Sequence, residues 1–70
     1  MTRHEGTGLT NRVGALRAER GLTQAALAEA CGVSRKTINT VERGRFVPSA
    51  VLALRIAAAL GVPVEAAFSL

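Results

Sequence analysis

The stretch CGVSRKTINTVERGR, Cys31 to Arg45, decides how the rest of the chain is read. It places four cations, Arg35, Lys36, Arg43 and Arg45, within eleven residues, against one acid, Glu42. Ser34 is placed to cap a helix running from Arg35 to Arg43, and Gly44 to end it. At about 100° per residue, Arg35, Lys36, Asn39, Thr40 and Arg43 fall within roughly 140° of arc, with Ile38 and Val41 on the opposite side. One face suits a core. The other carries donors and acceptors rather than the Glu and Gln that usually solubilise a helix. Arg and Lys donate to guanine edges, Asn pairs bidentately with adenine, and a Thr methyl touches thymine. The plain alternative is a solvated basic face with no ligand.

The residues just upstream favour the first reading. From Gln24 onward the order is apolar Leu27, small Ala28, apolar Cys31, then Gly32, Val33, and later Ile38 and Val41. Ala28 lets one helix cross closely over the next. Gly32 tolerates the positive φ of a tight turn. Val33 plugs the corner. This is the pattern of a helix-turn-helix, whose second helix is offered to a major groove.

Further out, the chain reads as helices throughout. Thr10 or Asn11 is placed to cap a first helix through Glu19 or Arg20, with Val13, Leu16 and Arg20 at helical spacing and Gly21 as its stop. Thr23 caps the second, QAALAEAC. Ser49 caps a fourth, AVLALRIAAAL, ended by Gly61. Val64 to Phe68 reads as a short fifth, with Pro63 at or near its start. No strand pattern competes. The expected layout is a loose arm over residues 1–9 and one all-α domain of five helices over 10–70.

Composition agrees with one small domain. The 70 residues are 49% hydrophobic, with no Trp or Tyr, and carry a formal charge of +4. A core this small is marginal on its own, since a domain of about 60 residues buries only about 60% of its unfolded surface. The basic balance points to a polyanion, nucleic acid or anionic membrane. The uncharged run from Phe46 to Leu54 is far too short to span a bilayer. Met1 to Thr10 lacks the apolar core of a signal peptide. The expected location is the cytoplasm. A single cysteine gives neither an internal disulfide nor a zinc cluster. No GxxxxGK[ST], HExxH or GxSxG motif is present, and one histidine without paired carboxylates in a cleft argues against an enzyme. No cofactor is expected.

The segment from Asn11 to Phe68 resembles the lambda-repressor/Cro-like, or Xre, helix-turn-helix family. The resemblance is carried by RGLTQ, LA…CGVS, TIN.VERGR..PS and IA.ALGV. The SR.TIN and PS..LALRIA wording is most similar to short stand-alone repressors. The resemblance implies a compact five-helix domain that binds palindromic operators as a homodimer. It implies base-reading positions at Arg35, Lys36, Asn39 and Thr40. It implies phosphate-facing positions at Gln24, Thr37, Arg43 and Arg45, and a weaker one at Arg12. It also implies an ion pair, Arg17 with Glu42, tying the first helix to the end of the third. Ala25, Val51 and Ala58 depart from the family, which usually carries charge at those positions.

Helices four and five carry few charges. Leu52, Ile56, Leu60 and Phe68 are expected in the core, which leaves Val51, Leu54, Val64 and Leu70 as the expected dimer surface. The alternative is an antitoxin-like or bridging module in which helix four docks an unidentified protein partner and DNA binding is secondary. Cys31 reads as a buried, inert thiol with no cation beside it. His4 stands third once Met1 is removed, an arrangement that can hold Cu(II) or Ni(II) in a square plane. An idle arm is the better reading of it, and no metal site is assigned.

Overall fold

The structure is a computed structural model and describes residues 8–70. Five helices follow in order: α1 (Val13–Glu19), α2 (Gln24–Cys31), α3 (Arg35–Glu42), α4 (Ala50–Leu60) and α5 (Val64–Ala67). Three of them begin as their sequences dictate. The hydroxyls of Thr23, Ser34 and Ser49 accept the backbone N–H three residues on, at 3.0–3.1 Å, satisfying a donor that the helix start leaves open. Pro63 occupies the cap position of α5 with no side-chain bond.

The first four helices end alike. The N–H groups of Leu22, Val33, Arg45 and Val62 each donate to the carbonyl five residues back, at 3.0–3.1 Å. At α2 this needs Gly32 at φ +74°, a left-handed value that strains any residue bearing a Cβ. In three of the four motifs the closing residue is apolar and packs on the core: Leu22, Val33 and Val62. At α3 it is Arg45, which is exposed. The end of α3 therefore turns a cation outward where its siblings turn a hydrophobe inward.

The core gathers one stripe from each of α1–α4. Val13, Leu27, Ile38 and Ile56 are wholly buried, joined by Leu16, Ala28, Cys31, Val41, Leu52, Leu60, Ala67 and Phe68. Truncating a side chain such as Leu27 to Ala in a core this small would cost about 2–5 kcal/mol, a large share of its stability.

Three expectations are corrected. The first helix begins at Val13, with Arg12 at the cap position and making no side-chain bond there, and Thr10 takes no part in its start. Asn11 does meet it, accepting from the Val13 N–H through Oδ1 at 3.0 Å, and donates through Nδ2 to the Val41 carbonyl at 2.9 Å. Second, a short sheet is present. Thr10–Asn11 (β1) pairs antiparallel with Phe68–Ser69 (β2), in the register Thr10 to Ser69 and Asn11 to Phe68. Third, α5 therefore stops at Ala67, because Phe68 is extended at φ −132° and ψ 142°. The pairing is extended by the Arg12 N–H donating to the Ala67 carbonyl at 2.9 Å. The arm expected over residues 1–9, with Arg3 and His4, lies outside the described residues except for Gly8 and Leu9.

Candidate nucleic-acid interface

α3 presents two faces of opposite chemistry. Ile38 and Val41 point inward and are 0% and 1% exposed. Arg35, Lys36 and Arg43 are exposed, and Asn39 and Thr40 half-buried. Ser34, which caps the helix, and Arg45, which follows its end, are exposed as well. Gln24, at the first position of α2, is half-buried, and Thr37 is half-buried on the first turn of α3. Thr40 Oγ1 donates back to the carbonyls of Lys36 and Thr37 at 3.1 and 2.9 Å.

The surface is held in place by a polar cluster behind it. Arg17 Nε donates to Glu42 Oε2 at 2.7 Å, and Arg17 Nη2 to Glu42 Oε1 at 3.3 Å. Arg17 Nη1 also holds the Leu22 carbonyl at 2.8 Å. Gln24 Nε2 donates to Glu42 Oε1 at 3.1 Å. One carboxylate thus joins α1, the start of α2 and the end of α3. The hydrogen bond from Arg17 to Glu42 raises the guanidinium pKa above its ordinary value, against the opposing effect of burial. The pair is a two-point, charge-assisted contact, the geometry in which arginine binds carboxylate best.

Sequence reasoning missed two contributors to this cluster. Asn11 ties the start of α1 to the last turn of α3 through the Val41 carbonyl. Gly14 lies inside α1 facing Glu42. A glycine in a helix interior disfavours the helix by about 0.5–1 kcal/mol relative to Ala, and that mismatch was the available signal for a close approach. Arg20 is a third missed contact, its guanidinium donating to the Leu60 carbonyl at the end of α4.

The other sequence candidates take no part in this polar cluster. Arg12 approaches Glu19 at 3.9 Å, both well exposed, a contact worth about 0–1 kcal/mol at most. Val51, Leu54 and Leu70 are exposed at 59%, 57% and 94%. Val64 differs from them: it is half-buried and packs against the core. Cys31 is buried, and burial raises its thiol pKa. The expectation that no cation stands near it is corrected: Arg55 lies across an open groove of about 480 Å3 between α2 and α4 and opposes the shift. Among the described residues no cluster of His, Cys, Asp or Glu could hold a metal ion, and no helix is long and apolar enough to cross a membrane.

With this geometry in place, likeness to other proteins becomes informative. The family model described as Helix-turn-helix matches residues 13–66, from the first residue of α1 into α5. The chain belongs to the helix-turn-helix family. An uncharacterized HTH-type transcriptional regulator from Methanothermobacter thermautotrophicus is 60% identical over 45 residues, which are 64% of this chain and 65% of that protein. The immunity repressor of Bacillus phage phi105 is 44% identical over 55 residues, 79% of this chain and 38% of the repressor. Against these two relatives the helix-turn-helix chain thus spans under two thirds of their length. The crystal structure of the restriction-modification controller protein C.AhdI from Aeromonas hydrophila superimposes with a TM-score of 0.75 at 36% identity, over 79% of this chain and 83% of that one. The five helices are those of a lambda-repressor-like domain, α2 and α3 forming its helix-turn-helix, with the β1–β2 pairing as a small addition.

Proposed function

We propose that the protein is a sequence-specific regulator of transcription, most simply a repressor, that binds a palindromic operator in double-stranded DNA as a homodimer. The observation that carries this reading is α3: its inward side is spent on the core, and its outward side is built of base-edge donors at Arg35, Lys36 and Asn39. Arg43, Arg45, Thr37, Gln24 and, more weakly, Arg12 take the phosphates on either side. Such contacts fix register without specifying sequence. The exposed Val51, Leu54 and Leu70, with the half-buried Val64, support a homodimer, since a two-fold axis buries the same apolar surface on both subunits. The same axis sets two α3 helices about 34 Å apart, one turn of DNA. Likeness to the phage immunity repressor supports repression as the mode.

Selection of bound sites from random duplex DNA tests the reading. The expected product is an inverted repeat with half-site centres about 10 base pairs apart. Recovery of no enriched sequence would remove the DNA-reading role. An enriched sequence without inverted symmetry would leave a monomeric binder.

A further inference from the structure

Glu42 does more in this fold than neutralise Arg17. Its Oε1 accepts from Gln24 Nε2 at 3.1 Å as well as from Arg17 Nη2 at 3.3 Å, while Oε2 takes Arg17 Nε at 2.7 Å. An ionised carboxylate only accepts hydrogen bonds. It therefore holds the Gln24 amide by its NH2 end and excludes the flipped amide, which would set oxygen against oxygen. An NH2 group carries two donors, and Glu42 engages one of them. Among the described residues the Gln24 side chain makes no other hydrogen bond. The same guanidinium also reaches the backbone nearby: Arg17 Nη1 holds the Leu22 carbonyl at 2.8 Å, two residues before Gln24. The chain leading into Gln24 and the tip of its side chain are thus both fixed from behind, by a pair whose side chains are only 20% and 10% exposed.

We infer that Glu42 is a positioning residue for DNA: through its bond to Gln24 it commits the remaining amide N–H to a backbone phosphate. The inference rests on the DNA-binding reading above, in which Gln24 meets a phosphate, and adds the residue that sets its amide. A phosphate oxygen, like a carboxylate oxygen, only accepts. An amide that offers its NH2 to both suits both, and one that offers its carbonyl repels both. A glutamine side chain free in water samples many rotamers and either amide orientation, and ordering it on binding lowers affinity. Glu42 completes that ordering when the chain folds. Arg17 is needed for the same purpose. Its two bonds to Glu42 balance a charge that would otherwise stand unpaired behind the phosphate and repel it. Arg17 thus takes part in phosphate binding from α1 without touching the DNA.

The test uses the full chain and the duplex recovered by selection, with single phosphates of one half-site replaced by neutral methylphosphonates. The phosphate that meets Gln24 is the one whose replacement weakens the native protein about tenfold, the worth of one hydrogen bond to a charged group, and leaves Gln24→Ala unaffected. At that phosphate Glu42→Ala should be indifferent as well, while the phosphates met by Arg43 and Arg45 keep their full effect. Arg17→Met with Glu42→Leu, which sets apolar atoms where the pair stood, should behave in the same way and serves where Glu42→Ala does not fold. Helical circular dichroism establishes that each variant is folded. A Glu42 that only supports the fold would lower stability and leave the pattern of sensitive phosphates as it was. Full sensitivity at the Gln24 phosphate in both variants therefore overturns the inference and leaves the DNA-binding reading intact, as does an equal loss of sensitivity at every phosphate. A duplex on which no phosphate separates the native protein from Gln24→Ala takes Gln24 off the phosphates, and the inference falls with it. A selection that enriches nothing overturns inference and reading together.

Discussion

Gly14 faces the carboxylate of Glu42 so closely that a Cβ built there would stand 3.1 Å from Glu42 Oε1. That oxygen already accepts from Arg17 and Gln24, so it has little freedom to retreat. Gly14→Ala gains about 1 kcal/mol of helix propensity and presses the carboxylate off its partners. In the native background the two effects should offset to within about 0.5 kcal/mol, whereas in a Glu42→Ala background the full propensity gain should appear. Denaturant melts of the four proteins at one concentration close the cycle. Equal gains in both backgrounds would show that the close approach has no energetic consequence.

Arg17→Ala leaves Glu42, whose side chain is 10% exposed, with Gln24 alone, and it frees the Leu22 carbonyl. The expected loss is about 2–4 kcal/mol, because removing one partner strands a charge that is largely out of water. Replacing both residues, as Arg17→Met with Glu42→Leu, should cost far less. Urea unfolding separates the cases. A single variant no worse than the double would mean the pair does not hold α1 to α3.

The residues proposed to read bases and those proposed to bind phosphates should fail differently. Arg35→Ala or Asn39→Ala is expected to lose about 1–3 kcal/mol at one or two base pairs and to flatten preference there. Arg43→Ala or Arg45→Ala should weaken binding evenly across sequences and reduce the salt slope, which for a dimer with about three cationic phosphate contacts per subunit starts near −5. Titrations against matched and singly substituted duplexes at several salt concentrations read both quantities. An unchanged preference profile for Arg35→Ala would take that residue off the bases.

Assembly is best tested at Leu54. Val64 packs against the core, so a charge there would damage the fold as well as any interface. Leu54 is 57% exposed, and Leu54→Glu sets two like charges near the proposed axis. The native protein should melt at a temperature that rises with concentration, since association stabilises the folded form by mass action. Leu54→Glu should melt independently of concentration and sediment as a monomer with its helices intact. A native melting point that does not move with concentration would end the dimer proposal.

Cys31 gives the pH dependence a sign. Its thiol, ordinarily near 9, is held higher in the fold by burial, so the folded protein keeps a proton that the unfolded chain releases. Stability is then fully present below about pH 9 and falls as pH rises from there towards the folded pKa. Cys31→Val should flatten this part of the profile. Thiol reagents at neutral pH should label Cys31 only as fast as the protein opens. Immediate labelling of the native protein would contradict the burial.

What could be read from the sequence was what the chain settles locally. Thr23, Ser34 and Ser49 announce helix starts because a hydroxyl reaches its own first turn, within three residues. Ile38 and Val41 announce the buried side of α3 because helical spacing alone separates them from Arg35 and Asn39. The β1–β2 pairing could not be read this way. Two residues are too few to show alternation, and their partners lie 58 residues or so along the chain. Arg20 reaching the Leu60 carbonyl and Arg55 approaching Cys31 are likewise products of packing between distant segments, which a charge count does not contain. Phe46 was legible only as the start of an uncharged run. Its place in one groove with Thr37 and Thr40 needed the turn after α3 to be fixed first.

The antiparallel pairing of Thr10 with Ser69 brings the two ends of the described domain side by side. Topologically the five helices make a closed circuit, in which the present order, α1 first and α5 last, is one of several ways to cut the same loop. A short linker joining Leu70 to Leu9, which itself packs against the core, with new termini opened in the exposed turn at Arg45–Val47, would keep every helix and every core neighbour. It would also uncouple α3 from the backbone continuity of α4. The domain is in this sense a permutable ring, and the polar face of α3 belongs to the surface that the ring displays rather than to where the chain starts.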